Sequence, residues 1–134
     1  MYRRILPTFI VSLIATLLAA TPAHAAVPQS VQQSQLTCHY LLNPWSGGFS
    51  ADLLIFNNGP TINGWTARWT FQEPTQLLGV WSAKMEQPSP HEMVAKPLPW
   101  NEVIPTGSMV VFGWTAFAAK TEVPTDITVN GIPC

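Results

Sequence analysis

Six tryptophans are the side chains of this 134-residue sequence with the clearest binding potential, and all of them lie within residues 45–114. Three have apolar partners two residues away in alternating segments, which is typical of core positions on a strand: Trp65, Trp69 and Trp114. The other three have polar or turn-forming neighbours: Trp45, Trp81 and Trp100. Exposed apolar surface usually marks a binding site, so the second group is the candidate site.

The local sequence around each candidate tryptophan favours exposure to a different degree. Trp45 lies in the segment Asn-Pro-Trp-Ser-Gly-Gly, which is too small and polar to bury an indole. Trp100 follows two prolines and precedes Asn101 and Glu102. Trp81 follows Gly79 and Val80 on a predicted strand, where a side chain faces either the core or solvent. The alternative for each ring is that it folds back over the edge of the core.

A flat indole ring can stack on the flat apolar face of a pyranose, whose axial C–H bonds meet the electron-rich ring. Tryptophan has only two side-chain torsions, so it loses little rotamer entropy on binding. Several coplanar indoles on a rigid sheet would therefore bind successive rings of a polysaccharide. The same surface would also suit a protein partner, because interface centres favour tryptophan.

The segments that must position these rings are short and alternate between apolar and polar residues. Such alternation runs through residues 36–42, 49–57, 65–71, 77–85, 92–96, 108–117 and 126–130. Turn sequences rich in Asn, Gly and Pro separate them, and no segment beyond residue 25 has a sustained helical period. We therefore predict an all-β fold, an antiparallel β-sandwich of the Greek-key or jelly-roll kind.

The first 25 residues have the features of a secretory signal peptide. Arg3 and Arg4 precede an apolar run over residues 9–20, and Ala23-His24-Ala25 matches the pattern of a cleavage site, with cleavage after Ala25 or Ala26. A retained membrane anchor is the alternative, although the run is shorter than a spanning helix needs. We expect a secreted, extracellular protein without membrane contact after cleavage. Residues 26–35 would be a polar leader, and residues 36–134 the binding domain.

Cys38 and Cys134 are the only cysteines and lie near the two ends of the predicted domain. Export to an oxidising compartment and the even count favour an intramolecular disulfide, with free thiols or an intermolecular pair as alternatives. A bond closing so long a loop would stabilise the fold by roughly 4–5 kcal/mol in the chain-entropy model.

Composition excludes several other functions. Only 10% of residues are charged, with 6 basic and 7 acidic, so no basic field is available to bind nucleic acid. His39 and His91 are distant in sequence and lack a nearby ligand set, so we predict no metal and no cofactor. No Gly-x-Ser-x-Gly nucleophile motif occurs. We also expect a monomer.

A glycosidase would need two carboxylates facing each other across a cleft. The carboxylates of the predicted domain are scattered singly: Asp52, Glu73, Glu86, Glu92, Glu102, Glu122 and Asp126. Solvated surface positions explain this spacing better than a catalytic pair, so we predict no enzyme activity. Residues 36–134 also leave no room for a separate catalytic domain.

The order of motifs resembles the family 2 carbohydrate-binding modules of the bacterial cellulose-binding type. The matching features begin with Cys38, Asn43-x-Trp45-x-x-Gly48-Phe49 and Asn57-Asn58-Gly59. They continue with Gly64-Trp65-Thr66, Trp81, Pro99-Trp100-Asn101, a Pro-x-Gly turn before Phe112-Gly113, and Pro124-x-x-Ile127-x-x-Asn130-Gly131-x-x-Cys134. The resemblance implies an antiparallel β-sandwich with its terminal cysteines paired.

The resemblance also implies roles for individual residues. Trp45, Trp81 and Trp100 would form a flat exposed strip, and Gly48 would let the first indole lie flat. Asn43 and Asn101 would hydrogen-bond to sugar hydroxyls. The implied ligand is insoluble cellulose, with chitin as the alternative, bound by a stand-alone module. Because such modules usually accompany hydrolases, the alternative is that this chain is part of a secreted glycoside hydrolase, a cellulase or a chitinase. Gly79 departs from the pattern, which often has an amide side chain there.

Overall fold

The computed structural model describes residues 35–134, and the predicted signal peptide and nearly all of the leader lie outside these residues. The described chain contains β-strands and no helix, so it has no helix that could cross a membrane. The strands are β1 (Leu36–Trp45), β2 (Gly48–Asn57), β3 (Ile62–Asn63), β4 (Ala67–Thr70), β5 (Thr75–Trp81), β6 (Lys84–Ser89), β7 (Glu92–Lys96), β8 (Val103–Ile104), β9 (Met109–Ala118), β10 (Thr128–Val129) and β11 (Ile132–Pro133).

Two antiparallel sheets form the sandwich, which confirms the predicted fold class. The four-stranded sheet has the order β1-β2-β9-β5, and the five-stranded sheet has the order β11-β10-β4-β7-β6. A short ribbon pairs β3 with β8. Some neighbouring strands, such as β2 and β9, are distant in sequence. Long connections between paired strands are typical of β-sandwiches.

Aromatic side chains dominate the core between the two sheets. Trp65, Trp69 and Trp114 are each at most 2% exposed, which confirms their prediction as core residues. Trp65 stacks on Phe112 with 5.1 Å between ring centroids, and Trp69 lies 4.7 Å from Trp114. These rings fill the space between the sheets, so the core lies on the inner faces and the outer face of each sheet takes no part in it.

The disulfide joins Cys38 of β1 to Cys134, with 5.3 Å between their Cα atoms. The intramolecular pairing predicted from the sequence is thus confirmed. Its sequence separation of 96 residues means that it closes nearly the whole described chain into one loop.

The prediction of one strand over residues 77–85 is wrong. The chain turns at Ser82, whose φ of 61° lies in the left-handed region, and β5 and β6 therefore belong to different sheets. Alternation alone could not show this corner, because neither Gly nor Pro marks it.

The predicted turn around Trp45 is also shorter than expected: β1 continues to Trp45, and Ser46 and Gly47 alone connect it to β2, with Gly47 at a φ of 87°.

Candidate functional site

The candidate site occupies the outer face of the four-stranded sheet. Along β2, Phe49, Ala51, Leu53 and Ile55 point into the core, so the residues that alternate with them point outward. The pairing register extends this outer face across all four strands in three cross-strand rows. The first row is Trp45, Gly48, Phe117 and Gln76; the second is Asn43, Ser50, Thr115 and Gly79; the third is Leu41, Asp52, Gly113 and Trp81.

Trp45 is the last residue of β1, and its ring lies against the neighbouring strand. It pairs with Gly48, and a Cβ built on Gly48 would stand 2.9 Å from the Trp45 Nε1 atom. Such a Cβ would also overlap the carbonyl oxygen of Ala116. Only glycine therefore permits both this close approach of strands and this position of the ring. The side chain of Trp45 is 42% exposed.

Trp81 ends β5 and covers Gly113 of β9 in a similar way. A Cβ on Gly113 would overlap Cζ2 and Cε2 of Trp81 as well as Oδ1 of Asp52. The indole Nε1 donates a hydrogen bond of 3.0 Å to Asp52 Oδ1, which fixes the ring in rotation. Trp81 is 40% exposed, so of the two orientations that the sequence left open, core or solvent, its side chain takes the one that faces solvent.

Trp100 projects from the loop between β7 and β8 and is 70% exposed. The loop is a β-turn in which the Asn101 amide donates to the Leu98 carbonyl, with Pro99 in the second position where proline is favoured. The indole of Trp100 has no polar partner among the described contacts of this turn. The turn therefore sets where the Trp100 side chain leaves the backbone.

Asn101 has a different role from the predicted one. Only 7% of it is exposed, and its Oδ1 accepts from the Leu98 amide while its Nδ2 donates to the Ser82 carbonyl at 2.7 Å. Its own carbonyl accepts from Trp65 Nε1 at 2.8 Å. The expectation that Asn101 binds a sugar hydroxyl therefore gives way to a positioning role: it ties the Trp100 turn to the residue that follows Trp81.

The middle row of the outer face carries polar groups between the first and third rows. Asn43 and Ser50 pair across β1 and β2, and Thr115 pairs with Ser50 from β9. Thr115 Oγ1 accepts from the Gly79 amide at 2.9 Å. Sequence reasoning identified Asn43 but missed the two hydroxyls. Only the register shows that they share a row with Asn43.

The spacing of Trp45 and Trp81 follows from sheet geometry. They lie at opposite edges of the sheet, three strands apart and four residues apart along the strands. Three strand spacings and four residue rises are each roughly 14 Å, so their Cα atoms are about 20 Å apart along a diagonal. Both rings lean inward over the adjacent strand, which shortens the distance between them. Two rings at this spacing fit an extended ligand of several units.

Asp52 is the only Asp, Glu, Lys or Arg in the three rows, so the outer face is nearly neutral. Among the described residues no group of three or more His, Cys, Asp or Glu could hold a metal ion. The arrangement offers aromatic rings, amides and hydroxyls, which is the chemistry that recognises neutral sugars.

A family model described as "Cellulose binding domain" matches residues 36–134. The chain belongs to this family of carbohydrate-binding modules. Exoglucanase A of Cellulomonas fimi is 33% identical to this chain over 118 residues, which are 87% of this chain and 13% of that protein. The chain spans between an eighth and a quarter of the length of the first curated relatives it matches.

Two of the solved structures that resemble this chain are themselves carbohydrate-binding domains. The cellulose-binding family 2 carbohydrate-binding domain from ScLPMO10C has a TM-score of 0.56 and 28% identity, covering 77% of this chain and 100% of that one. The chitin-binding domain of Chi18aC from Streptomyces coelicolor has a TM-score of 0.63 and 24% identity, covering 76% of this chain and 96% of that one. The second likeness shows the shared fold alone.

Proposed function

We propose that the domain adsorbs to flat surfaces of β-1,4-linked glucan such as cellulose by stacking Trp45, Trp81 and Trp100 on sugar rings of one chain. The observation that carries this proposal is the division of the tryptophans: these three are 40–70% exposed, whereas the other three are almost completely buried. Exposed apolar surface that gathers aromatic rings usually marks a binding site, so the exposure of these three indoles supports a ligand.

Polar groups of the middle row would set the register of the sugar chain. Asn43 is exposed and offers an amide donor and acceptor, and Ser50 and Thr115 are partly exposed hydroxyls. Hydrogen bonds of this kind position a ligand, while the rings supply most of the contact area. Asn101 is not among these contacts in the proposal.

The proposed role of the domain itself is binding without catalysis. Several carboxylates hold the structure instead of facing each other across a cleft. Asp126 accepts from the Thr70 amide at 3.0 Å, Glu122 accepts from the Gln72 amide, and Asp52 holds Trp81. Glu86 pairs with Lys96 at 3.1 Å. A glycosidase needs an acid and a base or nucleophile free for substrate.

We further propose that the protein is secreted and acts as a monomer outside the cell, guided by the signal-like residues 1–25. Gly48 lets the Trp45 ring lie close against the sheet, which supports a flat polysaccharide surface as the ligand, and we propose cellulose. Chitin, whose chains present a similar flat face, is the alternative ligand.

Adsorption to microcrystalline cellulose, measured by depletion of protein from solution, tests the proposal. The Trp45→Ala and Trp100→Ala variants should each lose at least tenfold in partition coefficient, since each removes one stacking ring. Met109→Ala is the matched control: Met109 is 52% exposed on the same outer face of β9, eight residues from Phe117, and outside the three rows. Undiminished adsorption of both tryptophan variants would refute the mechanism. Chitin beads in a parallel assay decide between the two polysaccharides.

A further inference from the structure

A cleft of about 700 Å³ lies beside the first row of the outer face, and the proposed mechanism does not use it. We call it the edge cleft; its lining includes Gly47, Gln76, Pro88, Ser89, Pro90 and Phe117. It opens where β5 and β6, the edge strands of the two sheets, lie side by side. Its volume falls within the range of ligand-binding clefts in proteins, roughly 300–1,000 Å³.

Gln87 makes the edge cleft a built feature of the fold. Its Oε1 accepts from the Leu77 amide at 3.0 Å, and its Nε2 donates to the Thr75 carbonyl. One amide side chain of β6 thus satisfies two backbone groups on β5, as a neighbouring strand would. The two edge strands are held together at this point, which gives the cleft a fixed wall.

The lining of the edge cleft is apolar with a few uncharged polar groups. Phe117 and the rings of Pro74, Pro88 and Pro90 supply apolar surface, and Gln76 and Ser89 supply an amide and a hydroxyl. None of the lining residues is charged. A charged peptide or a phosphate would lose solvation here without gaining a partner, whereas a neutral pyranose has both an apolar face and hydroxyl groups.

The edge cleft is continuous with the outer face. Phe117 and Gln76 line the cleft and also belong to the row that contains Trp45 and Gly48. Phe117 is 50% exposed, and its backbone lies one strand beyond Gly48, where the Trp45 ring rests. A ligand leaving the Trp45 ring across the strands therefore reaches the Phe117 ring next.

We infer that the edge cleft is a second glycan subsite, in which Phe117 stacks on a sugar ring of a single neutral β-1,4-linked chain that is not part of a crystal surface. The inference rests on the proposed function for its ligand class, but it concerns an open cleft at the edge where the two sheets meet, beside the tryptophan-bearing face and not on it. The domain would thus bind ordered surfaces through its tryptophans and loose chains through the edge cleft.

Titration of the protein with soluble cellohexaose, followed by backbone amide NMR, tests the inference. The amides of Gln76, Ser89 and Ala118 should shift on titration. They should still shift in a Trp45→Ala/Trp100→Ala double variant that no longer adsorbs to crystalline cellulose. Absence of these shifts at concentrations up to a few millimolar would overturn the inference, whatever the tryptophan variants do on cellulose.

Two substitutions isolate the ring of Phe117. Phe117→Ala should weaken cellohexaose binding roughly threefold to tenfold, since an aromatic contact is lost. Phe117→Leu, which keeps the apolar bulk and thus protects the fold, should weaken it to a similar extent. Met109→Ala should not change it. Equal affinity of the wild-type protein and Phe117→Leu would overturn the stacking role. Maltohexaose, an α-linked chain of a different shape, should leave the cleft amides unshifted.

Discussion

The close approach of Trp81 to Gly113 makes Gly113→Ala the most informative single substitution in the domain. The added methyl group would occupy the space that Trp81 Cζ2 and Cε2 and Asp52 Oδ1 now fill. Gly113 is part of a central strand and cannot move outward, so the ring must lift away from the sheet. Trp81 is at the surface and has solvent into which it can move.

The expected effects on folding and on binding arise from different parts of the Trp81 surface. Displacing the ring breaks its hydrogen bond to Asp52, which costs about 0.5–1.5 kcal/mol. Replacing a strand glycine by alanine recovers about 0.5–1 kcal/mol. The lifted ring would also expose its buried part, up to roughly 150 Å², which costs up to about 4 kcal/mol at about 25 cal/mol per Å². The free energy of unfolding should therefore fall by up to about 4 kcal/mol, depending on how far the ring moves. With 40% of a side chain of roughly 250 Å² exposed, about 100 Å² can contact a sugar, and its complete loss corresponds to about 2.5 kcal/mol or about seventyfold in affinity.

Three measurements on one variant separate these effects. Urea denaturation gives the free energy of unfolding, depletion isotherms on cellulose give the affinity, and the NMR signal of the Trp81 indole N–H reports its hydrogen bond. Gly59→Ala is the matched control, because the three atoms nearest to its added Cβ all belong to the Gln35 side chain, at 3.0–3.1 Å, and none belongs to Trp81. Cellulose affinity of Gly113→Ala equal to that of Gly59→Ala, with an unmoved Trp81 signal, would refute the reasoning.

Three further predictions concern stability. Replacing Cys38 and Cys134 by serine should lower the free energy of unfolding by roughly 4–5 kcal/mol, because the disulfide closes a loop of nearly the whole domain; urea denaturation measures this. Asn101→Ala should lower the free energy of unfolding by about 1–3 kcal/mol, because it leaves the Ser82 carbonyl and the Leu98 amide without partners. It should also weaken adsorption to cellulose, whereas Asn43→Ala should weaken adsorption without lowering stability. Burial, reinforced by the charge of Glu122, raises the pKa of the Tyr40 hydroxyl above its usual 10.0, so stability should fall as pH rises above about 10; a Tyr40→Phe variant should lack this fall in denaturation series at several pH values.

The sandwich could be predicted because the sequence features that indicate it, strand alternation and turn residues, can be recognised within short segments. Alternation along β2 and β9 separates inward from outward residues, and the count and context of the cysteines favour their pairing. The corner at Ser82 was not predictable from the same pattern. It is held by Asn101, nineteen residues later, and such a tertiary hydrogen bond leaves no trace in the periodicity around Ser82.

The candidate site was predictable only in part for a similar reason. Turn residues around Trp45 and Trp100 indicate that these rings are exposed, and this signal is local. Asp52 looked like one scattered carboxylate among seven, yet it holds the ring of Trp81, 29 residues away. The resemblance placed Asn101 beside the sugar, whereas the loop uses both of its amide atoms. Only the strand register shows which side chains share a face.

The most direct test of sugar binding by the three exposed tryptophans is their chemical protection on the polysaccharide. N-bromosuccinimide oxidises accessible indoles, and peptide mass spectrometry locates each oxidised residue. In free protein, Trp45, Trp81 and Trp100 should react, and the buried tryptophans should not, because they are shielded by the core. In protein adsorbed to crystalline cellulose, all three should be protected together. Oxidation of any two of them at the same rate in free and adsorbed protein would contradict the account.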